Sequence, residues 1–137
     1  LQPKKYILGV GCKKDTDSAK LDLFLKKILE EQGIVIEQIA ALASIDVKKE
    51  ERCLLEFSEK YRIPFRIYTA QELQAVPGEF HGSEFVKTQV GVDNVCERAA
   101  LKAAGTGGWI CLDKQAQDGM TVAVAEKTWK ERIRMWL

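Results

Sequence analysis

Apolar positions along this chain change period several times, from short unbroken runs to stripes spaced three and four apart. The first run, Tyr6-Ile7-Leu8-Gly9-Val10-Gly11, reads as a buried strand ending in glycine. Residues 12–18, CKKDTDS, are turn and N-cap types. Leu21, Leu25, Ile28 and Leu29 then share one face of a helix that Gly33 stops. Residues 39–45, IAALASI, suit a second buried strand, and DVKKEE at 46–51 leads into a helix with Leu54, Phe57 and Tyr61 on one face. Pro64 ends that helix, and residues 65–68 make a third strand. Thr69-Ala70-Gln71-Glu72 is a capping box opening a brief helix to Val76, followed by a PGEFHG loop at 77–82. Val95 begins a helix that GTGG at 105–108 breaks. Residues 109–112 and 121–125 are strands joined by residues 113–119, close enough in sequence to pair as a hairpin. The tail from Lys127 is amphipathic, with Trp129, Ile133 and Trp136 roughly on one side.

Strand–helix alternation without internal repeats predicts an α/β fold, a three-layer α/β/α sandwich with a mostly parallel, mixed sheet of about five strands. One domain over residues 1–137 is expected, with a core over 6–125 and a helical tail over 126–137. A chain of 137 residues can bury about two thirds of its unfolded surface and needs neither disulfide nor metal to fold. A formal net charge of +1 argues against a dedicated nucleic-acid binder. No apolar run is long enough to cross a bilayer and no signal peptide opens the chain, so a cytoplasmic location without membrane contact is expected. The start at Leu1 in place of Met reads as an excised piece of something longer.

The four cysteines, Cys12, Cys53, Cys96 and Cys111, form no C-x-x-C pair, and His81 alone cannot complete a zinc set. They read as reduced, mostly buried thiols, with a reactive role left open for Cys12 and Cys96 beside loops. His81 reads as a loop residue facing water.

The chemistry-bearing residues concentrate in residues 82–101, GSEFVKTQVGVDNVCERAAL. Ser83 and Glu84 precede the anchoring Phe85 and Val86, and Asn94 and Glu97 read as an N-cap and the residue reaching back to it. Such a helix start favours anionic groups. Ligands of open α/β sheets bind outside the carboxyl ends of the strands. That rule gathers Lys13, Lys14 and Thr16 after the first strand with Asp46 and Lys48 after the second, while Thr69 and the loop through Ser83 and Glu84 complete the wall. Lysines and helix starts around a cleft suit a substrate carrying several carboxylates. Gly9-Val10-Gly11 lacks the third glycine of a dinucleotide fingerprint, and no G-K-[ST] makes it a phosphate loop.

Three stretches carry a resemblance to the C-terminal domain of the cobalt-precorrin 5A hydrolase family (CbiG), and to its stand-alone relative CobE. LGVGCKKDT resembles the opening strand and G-[IV]-G-C-[RK]-[RK] loop. ALASIDVKKEERCLLEFSEKYRIPFRIYTAQEL is similar to the A-[ST]-I-D-x-K block and the helix, strand and turn after it. SEFVKTQVGVDNVCERAAL resembles the S-x-x-V and V-G-V-x-x-V-C-E-x-A-A-L segment. The likeness spans roughly residues 6–125. Asp15 departs from it, standing where a glycine is common.

The resemblance implies a role in cobalamin synthesis: opening the δ-lactone of a cobalt-precorrin macrocycle and releasing acetaldehyde. It implies a cobalt-precorrin tetrapyrrole as partner, with cobalt carried by the substrate and no resident cofactor or metal, and an N-terminal domain beyond this chain. A homo-oligomer is left open. On this reading Glu84 or Asp46 serves as base, and Lys13, Lys48 or a helix-start N–H stabilises the oxyanion. Gly11, Cys12, Lys14, Thr16, Lys48, Ser83, Gly91, Asn94, Cys96 and Glu97 make up the substrate-binding set. The alternative is a module that binds the tetrapyrrole or a pathway partner without catalysis. Trp129, Trp136 and the Phe80–His81 loop would serve that docking. A plain scaffold with solvated turns is the third reading.

Overall fold

Strand β1, Tyr6–Cys12, lies at the centre of a five-stranded sheet and is covered on both faces. The computed structural model describes residues 4–78, 80 and 92–128. Ser83, Glu84 and Gly91, with His81, Trp129 and Trp136, lie outside the described residues. The other strands are β2, Ile39–Ile45, β3, Phe65–Tyr68, β4, Trp109–Gln117, and β5, Met120–Glu126. Helices α1, Ser18–Glu31, α2, Arg52–Tyr61, α3, Ala70–Gln74, and α4, Val95–Ala104, are joined by single 3-10 turns at Ile36–Gln38 and Asp46–Lys48.

The strand order is β3-β2-β1-β5-β4. β1 to β3 pair in parallel, β5 is antiparallel to β1, and β4 is antiparallel to β5. β4 therefore runs with β1, β2 and β3, and β5 alone is reversed. The expected mixed sheet of about five strands is present.

Alternation along β1 sends successive side chains to opposite layers. Leu8 and Val10 join Leu42, Met120, Val122 and Val124 beneath Leu21, Phe24 and Leu25 of α1 and Leu54 and Phe57 of α2. Ile7 joins Ala41, Ala43, Ile45 and Ala125 beneath Leu73 of α3 and Val95, Ala99, Ala100 and Ala104 of α4. The second layer is built from alanines, so α4 rides close to the sheet. All of β2 is buried, and the one hydroxyl within it, on Ser44, donates to the Val10 carbonyl at 2.7 Å.

Three local expectations change. α2 ends in a left-handed Arg62 (φ 54°), two residues before Pro64, and α3 stops at Gln74 rather than Val76. Residues 113–117, expected as a connection, continue β4. The true turn is Asp118-Gly119, both at positive φ (49° and 79°), as a tight hairpin requires. Among the described residues no helix is long and apolar enough to cross a membrane.

Candidate functional site

The carboxyl ends of β1 to β4 share one rim, and the loops after β1 and β2 meet there. Cys12, the last residue of β1, points into the α1/α2 layer, where its Sγ lies 3.7 Å from Sγ of Cys53 in the first turn of α2. Lys48, in the 3-10 turn after β2, pairs with Glu51 at 3.6 Å, their side chains 15% and 7% exposed. The other oxygen of the Glu51 carboxylate accepts the Asp15 N–H at 3.0 Å. Asp15 has φ 61°, left-handed backbone that aspartate tolerates and glycine enters freely. Thr16 donates its hydroxyl to the Lys13 carbonyl at 2.6 Å, and Asp17 caps α1 through the Ala19 N–H.

This setting acts on the two thiols in opposite directions. A hydrogen bond from Cys53 is the main influence holding the Cys12 thiol below its ordinary pKa. The Lys48 charge and Thr16 assist, while burial and Glu51 oppose. The Cys53 thiol is pushed up, first by its bond to Cys12 and then by burial.

The other flank of the rim is the start of α4, across β1. Asn94 is buried, left-handed (φ 47°), and caps the helix by accepting the Glu97 N–H at 3.4 Å. Its amide donates to one Glu97 carboxylate oxygen at 3.1 Å, and the Lys114 N–H of β4 donates to the other at 2.7 Å. Cys96 is buried against the Asn94 amide oxygen (3.6 Å), and burial is the main cause that pushes its thiol up to about 12, against a lowering bond from Thr121. Gly11, paired with Thr121 of β5, joins this flank to the Cys12 flank. Behind it the buried Arg98 reaches the Asp93 carboxylate (2.8 Å), the Leu73 carbonyl (3.3 Å) and the Phe80 ring (4.4 Å).

The expected site residues thus fall into two groups separated by β1. Cys12, Thr16 and Lys48 gather on the α1/α2 side, and Gly11, Asn94, Cys96 and Glu97 on the α4 side. Lys13 lays its aliphatic chain against Gly119 of the turn between β4 and β5, and Lys14 is exposed. Asp46 opens the 3-10 turn, its carbonyl accepting the Lys49 N–H at 3.0 Å. Lys48, expected to face a carboxylate-bearing ligand, is paired with Glu51. Grooves of about 470 Å³ between α1 and α2, and about 430 Å³ beside residues 105–108, open elsewhere. Sequence reasoning missed Glu51 and Cys53. The i, i+3 spacing of Lys48 and Glu51 was a signal for one, whereas only the fold brings Cys53 to Cys12.

Residues 6–125 match the family model described as cobalamin synthesis G C-terminus. This chain belongs to that family. The match takes in all of the sheet but the last residue of β5, and the four described helices of the CbiG C-terminal domain. Two curated relatives are cobalt-precorrin-5A hydrolases. The Salmonella typhimurium protein is 35% identical over 73% of this chain and 28% of its own length. The Priestia megaterium protein is 32% identical over 90% of this chain and 33% of its own length. The chain spans about a third or less of each. Among solved structures, CobE, a protein from the cobalamin (vitamin B12) biosynthetic pathway, superposes with a TM-score of 0.82 at 27% identity, over 93% of this chain and 94% of that one. The CbiG-like stretches fall on β1 and its loop, on β2 through α3, and, for the described residues of the third, on α4 and the residues just before it.

Proposed function

We propose that this chain is the C-terminal domain of a cobalt-precorrin-5A hydrolase and that its carboxyl rim meets the cobalt-precorrin tetrapyrrole during cobalamin synthesis. The observation that carries the reading is the 32–35% identity to two proteins named for that activity. The reaction opens the macrocycle's δ-lactone and releases acetaldehyde, in the cytoplasm and together with an N-terminal domain. The protein contributes no cofactor of its own, and cobalt arrives with the substrate. Lys13 and Lys14 meet ring-peripheral carboxylates, and the α4 start offers N–H groups to a developing oxyanion. Asp46 or Glu84 acts as the base that activates water.

Acetaldehyde release from cobalt-precorrin-5A by the full-length protein tests the assignment. Of Asp46→Ala and Glu84→Ala, the one that removes the base is expected to cut turnover by about 10²-fold or more. Unchanged turnover in both variants would remove them from the site. A second reading, binding without catalysis, is favoured by the 94% coverage of CobE, which presents this fold as nearly an entire chain. Substrate binding by the separately expressed domain, without acetaldehyde, would select it.

A further inference from the structure

Two thiols in contact at the end of β1 carry no step of the lactone opening proposed above, although Cys12 belongs to the expected substrate-binding set. Cys12 and Cys53 lie 41 positions apart in sequence, yet their sulfurs are 3.7 Å apart where β1 ends and α2 begins. We propose that they form a thiol–disulfide exchange pair, with Cys12 the attacking and Cys53 the resolving thiol, which low-molecular-weight disulfides oxidise to an internal cross-link.

The order of attack follows from exposure and surroundings. Cys12 is partly exposed on the rim, whereas Cys53 is buried, 1% exposed. Thiolates are the nucleophiles of exchange, and nearby cations and helix N-termini favour them. Cys12 faces the Cys53 thiol at the start of α2, the Lys48 ammonium and the Thr16 hydroxyl, with the Glu51 carboxylate as the opposing charge. Cys53 is a poor attacker while Cys12 carries charge, because its bond to Cys12 is what chiefly holds its proton. That hold ends once Cys12 is capped.

The Cys12 thiolate attacks one sulfur of the small disulfide, forming a mixed disulfide and expelling one small thiolate. Cys53 then loses its proton to solvent and attacks the Cys12 sulfur, expelling the second small thiolate. Two protein thiols are oxidised, and one disulfide is reduced to two thiols. Only a short approach separates the present 3.7 Å from the bonded distance of about 2.05 Å. The cross-link would fasten the end of β1 to the α2 start, beside the Lys48–Glu51 pair.

The remaining cysteines are internal controls. Cys96 is buried and its thiol is pushed up to about 12. Cys111 is exposed, but burial of its sulfur and the Glu126 charge push its thiol up, and it lies 3.5 Å from the Val124 carbonyl. Exposure alone therefore favours Cys111, and the proposed pairing favours Cys12.

The experiment treats the full-length protein with glutathione disulfide at neutral pH, quenches with acid, alkylates, and maps peptides by mass spectrometry. The expected product is a Cys12–Cys53 cross-linked peptide, two hydrogens lighter and free of glutathione, with Cys96 and Cys111 still alkylated. Cys53→Ser is expected to stop at a Cys12–glutathione adduct, and Cys12→Ser to leave Cys53 unmodified. In the untreated protein, iodoacetamide should label Cys12 about tenfold faster than Cys111. Glutathione accumulating on Cys111 ahead of Cys12, a Cys12 adduct persisting in the unsubstituted protein, or no reaction at Cys12 would each overturn the pair. The cross-link in the unsubstituted protein decides the matter even if a variant does not fold.

Discussion

Gly9 shows how a single missing side chain sets the distance between two layers. A Cβ built there would fall on the Cys96 carbonyl oxygen and lie 2.8 Å from the Ala100 backbone nitrogen and 2.9 Å from its Cβ. Two of those obstacles are helix backbone, which cannot rotate aside as a side chain can. Gly9→Ala must therefore lift α4 off β1, and that helix carries Asn94, Cys96 and Glu97. The expected cost is about 3 kcal/mol, the upper end for overpacking a core, measured as a lower midpoint of chemical denaturation. An undisturbed midpoint would mean that α4 has slack. In sequence, Gly9-Val10-Gly11 was legible as the end of a buried strand and as a poor nucleotide fingerprint. The reason for glycine at position 9 was not, because it lies in a helix about ninety residues later. Asp15 behaves the opposite way. Its departure from the family's glycine is visible in sequence, and its left-handed backbone supplies the reason.

Elements were legible where local chemistry determines them and illegible where only a partner does. The Thr69–Glu72 capping box formed as read, with reciprocal bonds of 2.9 and 3.0 Å. Thr69→Ala is expected to cost about 1 kcal/mol, as for other N-caps. The Thr69 backbone N–H, followed by its hydroxyl, holds the Glu72 carboxyl below its ordinary pKa. A depressed folded-state pKa means the stabilisation is present above the unfolded value and is lost as pH falls through the folded one. Glu72→Gln should therefore flatten the acid limb of stability against pH, in thermal melts taken from neutral pH downward. An acid limb unchanged by the substitution would remove Glu72 as its source. β4 is the counter-example. Its second half, DKQAQ, is polar because an edge strand faces solvent on one side, and irregular register against β5 interrupts the alternation. The Asp118-Gly119 hairpin signal was present in sequence, but it was read as the end of a longer loop.

At the scale of the whole molecule, the described residues of the rim fall on two sides of β1. Alternation of strands and helices was enough to anticipate the three layers and the carboxyl rim. It could not show that Lys48 would be neutralised by Glu51, because that depends on how the 3-10 turn after β2 folds back. The consequence for ligand binding can be measured. Lys13 and Lys14 are solvent-facing cations on the rim, so their attraction for a carboxylate-bearing macrocycle should be modest and screened. Lys13→Ala and Lys14→Ala should each weaken tetrapyrrole binding by about 0.5–1 kcal/mol at low salt, and by less as salt rises. Lys48→Met should behave differently, because removing it leaves the Glu51 carboxylate largely buried without its ion-pair partner. Its dominant effect is expected on folding stability, with little change in the salt slope of binding. Calorimetric titration of the full-length protein and the three variants across a salt series separates these cases. If Lys48→Met flattens the salt dependence as much as the two exposed lysine variants, the Lys48 charge is open to ligand, and the ion pair with Glu51 yields when the macrocycle arrives.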